Sequence, residues 1–233
     1  MTDCGEPGVF PTWWVRMHRS LAVAFLALAA CSGGGATTTV TIGEGASDPV
    51  AAVEELQGLL AQGDFGAAGS LAVPGQAVLA SLGEGATPSA VAASLENGDG
   101  DVAANFWNGF AQGVGDTFAG EVTIEDLGTT SENGVEFFVV GVTPEGGDQR
   151  VMITRDVGGQ RVDLFATFGA GLAEGMMGPV ELLLGSSNDD SQLILSALQD
   201  VVPSLLVAAN DESLSPDSVQ RILQLVELIT RVG

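Results

Sequence analysis

Apolar residues run at helical spacing from Asp48 to about residue 115, alternate or cluster from about 118 to 168, and return to helical spacing from about 170 onward. In the first block Asp48 can cap a helix that Pro49 opens. Ala52, Val53, Leu56, Leu59 and Leu60 make its apolar face. "GDFGAAG" breaks the period, a shorter apolar piece spans 71–82, and Thr87-Pro88 repeats the cap-then-proline signal. The last helix of the block has Val102, Phe106, Phe110 and Val114 four apart, with Ala103 and Trp107 beside them.

The second block predicts a meander of about four antiparallel strands. "EVTIEDL" alternates, "SENG" turns, and "GVEFFVVGV" is apolar on both faces. "EGGD" turns again before "RVMIT", and "DVGGQ" leads to a last strand over "RVDLFATF". The third block reads as "GLAEGMMGPVELLLG", then "SQLILSALQDVVPSLLVAA" with a kink at Pro203. Its final helix opens at Ser215-Pro216 and carries Val219, Ile222, Leu223, Val226 and Ile229 on one stripe. The expected fold class is α+β: N-terminal helices packed on a curved antiparallel sheet (residues 48–170), followed by a C-terminal helical layer (171–233).

The N-terminus carries a different signal. Arg16, His18 and Arg19 precede "LAVAFLALAA", a ten-residue apolar run that ends at Cys31. A membrane-spanning helix needs about 20 apolar residues, so the run suits the core of a signal peptide instead. Leu28-Ala29-Ala30-Cys31 resembles the lipobox of bacterial lipoproteins, with Ser32 and three glycines behind it. That resemblance implies diacylglyceryl transfer to the Cys31 thiol and cleavage just before it. Residues 1–30 would be the signal peptide, with Met17 the better start, and 31–47 a Gly/Ser/Thr tether. The expected location is the extracytoplasmic face of the cell membrane, or the outer membrane where the cell has one. Two or three acyl chains are needed, because one holds a protein only marginally.

Charge narrows the partners. With 30 acidic and 7 basic residues the 233-residue chain carries a formal charge of -23. Such a surface repels nucleic acid and anionic lipid, so a lipid anchor rather than charge must hold the protein at a membrane. The expected partners are the membrane through that anchor and an envelope protein or apolar ligand, with no nucleic acid.

The order of helices followed by a curved antiparallel sheet resembles the cystatin-like cone fold of nuclear transport factor and ketosteroid isomerase. "GDF" after the first helix and "RDVGGQRVDLFATFG" carry that resemblance, which covers about 48–170. It implies a cavity under the sheet, where enzymes of the fold use Tyr with Asp, or Asp with His or Arg.

Candidate chemistry is sparse. The single His, His18, lies in the expected signal segment, and the chain has neither Lys nor Tyr. The mature chain therefore cannot build a Ser-His-Asp triad, a Schiff base or a histidine zinc site. "NGDGD" (97–101) offers alternating oxygen ligands, but a calcium loop would want Gly and Glu where Val102 and Asn108 stand, so a helix-capping loop is the better reading. Arg150, Arg155, Asp156, Arg161 and Asp163 cluster on the last two strands and read as cross-strand charge pairs on a solvent face. Phe106, Trp107 and Phe110, with Met176 and Met177, could line a pocket for an apolar ligand, although aromatics at helical spacing usually form core. No phosphate loop, cofactor motif or catalytic constellation is expected. The leading expectation is a lipid-anchored, non-enzymatic binding module. An apolar-ligand carrier and a carboxylate-dependent isomerase or dehydratase are the alternatives.

Overall fold

Short-range capping sets the helix starts. Asp48 Oδ1 accepts from the Ala51 N–H at 2.9 Å, satisfying a donor that a helix leaves open, and Pro49 follows at the first helical position. Thr87 and Pro88 act in the same way. The computed structural model describes residues 45–98, 101–114 and 121–231. Within them α1 spans Pro49–Gln62, α2 Phe65–Ser70, α3 Gln76–Ala80, α4 Pro88–Asn97 and α5 Asp101–Val114, with a 3-10 turn at Ser81–Glu84.

Four strands follow: β1 Val122–Glu132, β2 Val135–Pro144, β3 Arg150–Asp156 and β4 Gln160–Val162. They form an open antiparallel sheet in the order β1-β2-β3-β4, the meander expected from the turn signals. The first turn is Asn133-Gly134, both at positive φ (51° and 80°), which matches the twist of a hairpin. β1 is the free edge, and a bulge between Asp126 and Gly128 with flanking acids breaks its regularity, a common protection against edge pairing. The outer edge of β4 is covered instead. Ala46 exchanges two backbone hydrogen bonds with Gln160 (3.0 and 2.9 Å), Val162 donates to Leu71 at 2.7 Å, and Val73 donates to Val162 at 2.9 Å. Residues 45–47, expected to belong to the tether, are therefore docked on the sheet.

Both faces of the sheet are used. Val140, Val142, Met152 and Val162 join the main core, where α1 lies across the strands. On the opposite face Phe137 and Ile153 are buried against Ala166 and Val207. The strand expected over "RVDLFATF" stops at Val162. Asp163 caps a 21-residue helix, α6 (Leu164–Leu184), with non-helical backbone at Phe168. This break in helical backbone lies close to the block boundary expected at 170. α7 (Asp189–Gln199) and α8 (Val202–Ala209) are separate helices bent by 47°, with Pro203 in the first turn of α8 rather than kinking one element. α9 (Pro216–Thr230) packs against α6 and α8. The observed class is α+β, with C-terminal helices after the sheet, as the periodicity predicts.

No single helix among the described residues is long and apolar enough to cross a membrane. The α7–α8 pair has the length and composition only as a bent unit, and its Ile194, Leu198 and Leu205 are fully buried in the core.

Candidate functional site

Asp163 ends β4 and begins α6, so its carboxylate points to where sheet and helices meet. It is fully buried. Oδ1 accepts from Ala166 N–H, the helix cap, and from Gln76 Nε2, both at 3.0 Å. Oδ2 accepts from Ser204 Oγ at 2.7 Å and lies 3.7 Å from Arg155 Nε. Gln76 closes the loop, because its Oε1 accepts the Leu164 N–H at 2.6 Å. One carboxylate therefore ties α3, α6, α8 and β3 together. Beside it Thr154 Oγ1 donates to Gln160 Oε1 at 3.1 Å. Arg161, 2% exposed, donates through Nε to Val157 O at 3.1 Å and through Nη1 to Ser70 O.

This corrects the solvent-face reading of the charged cluster. Arg155 and Asp163 do pair diagonally across β3 and β4, but the chain after Asp163 turns into α6, and Gln76 of α3 and Ser204 of α8 enclose Asp163. Arg150 and Asp156 remain exposed, and Asp156 Oδ1 holds the β3–β4 turn by accepting from Gly159 N–H at 3.1 Å.

Arg155 is the member that reaches outward. Its side chain is 17% exposed, and among the described residues its Nε is buried without a hydrogen bond and its one ion pair is with Asp163. It lines an open pocket of about 460 Å³ with Val135, Glu136, Phe138, Asp156 and Val157. The pocket has a simple origin in strand register. The last pair joining β2 to β3 is Phe138 with Thr154. Beyond it, residues 135–137 pair only with β1, while Arg155 and Asp156 pair only with β4. The sheet forks there, and the pocket lies in the fork.

The aromatic candidates lie elsewhere. Phe106, Trp107 and Phe110 are at most 5% exposed with ring centroids 5.4–5.9 Å apart, Phe106 and Phe110 stacked and Trp107 edge-on to both, and Phe168 meets Phe110 edge-on at 5.0 Å. Met176 is fully buried and Met177 half-buried against the same core. These rings bring their apolar area to core packing. Trp107 Nε1 is buried without a partner among the described residues.

In "NGDGD" Asn97 Nδ2 donates to Ala93 O at 2.8 Å and Asp101 stands in the first turn of α5, while Asp99 and Gly100 lie outside the described residues. Among the described residues no group of three or more His, Cys, Asp or Glu side chains converges as a metal site. Cys31 and His18 also lie outside the described residues.

Sequence reasoning missed Gln76 and Ser204, which partner Asp163 from 87 and 41 residues away, and missed Glu136, Phe138 and Val157 of the fork. The Asp163 cap did leave a signal, an Asp followed by an apolar run with small residues at helical spacing. No family model matches the chain, and neither a curated protein nor a solved structure is significantly similar to it.

Proposed function

We propose that this chain is a bacterial lipoprotein, anchored through Cys31 on the extracytoplasmic face of a membrane, whose folded part is a non-enzymatic binding module. One observation carries the anchor: Leu28-Ala29-Ala30-Cys31 closes a ten-residue apolar run behind Arg16, His18 and Arg19. The Gly/Ser/Thr-rich sequence after Cys31 supports a tether, which would hold the domain off a surface that its charge of -23 opposes.

The binding reading is supported by the state of the carboxylates. Asp163, the buried acid closest to a pocket, already accepts three hydrogen bonds and faces Arg155. Its oxygens are committed to structure, so they are poorly placed to take a proton from a substrate.

The test is metabolic labelling of the full chain with an alkyne analogue of palmitate in a bacterium that processes lipoproteins. The wild-type chain is expected to take up label and sediment with membranes, and Cys31→Ala to lose both. A wild-type chain that stays unlabelled, or a Cys31→Ala chain labelled equally, would overturn the anchor.

A further inference from the structure

We infer that the fork between β2 and β3 is a binding site for a short apolar peptide with free termini. This deepens the binding reading above and gives the module a ligand class. The chemistry follows from the lining. Arg155 makes no hydrogen bond within the described protein, although its guanidinium carries five donors and its side chain is largely buried. Nε lies on the Asp163 side, so the terminal nitrogens, which no described residue engages, are left to the pocket that Arg155 lines, and a carboxylate meets a guanidinium best.

A simple anion fits the site poorly. Asp163 lies 3.7 Å behind the guanidinium and offsets part of its charge, and Glu136 and Asp156 add two acids to the lining. Glu136 is exposed and engages no side chain among the described residues, so it is available to an ammonium. Val135, Phe138 and Val157 supply apolar wall between the charges. A ligand that complements all six residues carries one carboxylate, one ammonium and an apolar body. A peptide also suits the backbone, because residues 135–137 and 155–156 have no ladder between them. Strand edges of this kind accept extended peptides through main-chain hydrogen bonds. The volume of about 460 Å³ lies within the usual range for small-ligand pockets.

The test is calorimetric titration of the full chain, in detergent, with Leu-Leu, N-acetyl-Leu-Leu and Leu-Leu amide. Leu-Leu is expected to bind at least tenfold more tightly than either blocked peptide. Glu136→Gln should weaken Leu-Leu severalfold while leaving N-acetyl-Leu-Leu unchanged, and Arg155→Gln should abolish the preference for the free carboxylate over the amide. Because Arg155→Gln leaves Asp163 without its cation and could disturb folding, the exposed Glu136 and the blocked peptides keep the test decisive. Equal binding of all three peptides, or binding by none, overturns the proposal. If fatty-acid labelling at Cys31 is intact in that same preparation, the anchor stands while the peptide site falls.

Discussion

Two buried regions of this protein look alike in exposure and opposite in chemistry. One is the aromatic cluster of Phe106, Trp107, Phe110 and Phe168, packed ring on ring. The other is the polar centre of Asp163, Gln76, Ser204 and Arg155. In the sequence the aromatic stripe reads as core, with a ligand pocket as the alternative, and it packs as core. Arg155 and Asp163 suggest a solvated strand surface, yet Asp163 lies fully inside and Arg155 lines a pocket. The difference teaches that an apolar stripe fills space wherever helices meet, whereas a buried charge needs a specific partner and so marks where elements were brought together.

The largest expected effect comes from removing the hub of the polar centre. Asp163→Ala deletes the cap of α6, leaves Gln76 and Ser204 without their acceptor, and leaves Arg155 without its counter-charge. Breaking a buried charged pair costs about 3–5 kcal/mol, and a lost cap adds about 1 kcal/mol where the two effects are independent. Urea denaturation should show the midpoint falling accordingly. A loss below about 1 kcal/mol would mean that the centre is not a keystone.

Phe106→Ala sharpens the other side of the comparison. A buried Phe truncated to Ala costs about 3–5 kcal/mol through lost burial and a cavity. Trp107→Phe keeps a ring and removes an indole N–H that has no partner among the described residues, so it should stay within about 1 kcal/mol of wild type. Thermal unfolding measured with and without hexane-like ligands reads both variants. If Phe106→Ala proved mild, and wild type gained stability from an apolar ligand, the stripe would be a pocket wall after all.

What the sequence revealed follows the range of the interaction. The caps at Asp48 and Thr87 and the Asn133-Gly134 turn depend on neighbours within four residues, so they are legible. "RVDLFATF" misleads because its β-branched and aromatic residues also suit a strand, and only the Asp163 cap with the packing of α8 turns it into a helix. The fork is illegible for a stronger reason. Its residues are ordinary strand residues, and the pocket exists because β2 and β3 stop pairing at Phe138 and Thr154. That is a property of two strands and their other partners.

Gly159→Ala tests the edge at which the chain enters the fold. Gly159 sits at φ 107°, and a Cβ there would lie 2.7 Å from the Gly45 backbone. Strain at such a position costs about 1–3 kcal/mol, and the Ala46–Gln160 bridge should open with it. Amide hydrogen exchange at Ala46 and Gln160 reads the opening directly. Unchanged protection would show that residues 45–47 are not pinned to β4, and the folded part would then begin at α1.

The smallest effect expected is one of pH, at a group belonging to neither region. Glu84 ends the 3-10 turn beside α5, where a side-chain carbon added at Gly109 would lie 3.6 Å from Glu84 Oε2. Desolvation there raises its carboxyl from 4.5 to about 7. The folded state thus holds this proton more tightly than the unfolded chain does. Between pH 4.5 and about 7 the folded state binds more protons, so stability contributed by Glu84 is complete below pH 4.5 and lost as pH rises toward 7. Glu84→Gln should remove that slope and leave the variant more stable than wild type at pH 8. The gain is small because the side chain is exposed and water screens much of the penalty. Denaturation midpoints of both chains at pH 5 and pH 8 decide it: a difference between the chains that does not grow toward pH 8 would place the Glu84 carboxyl in water.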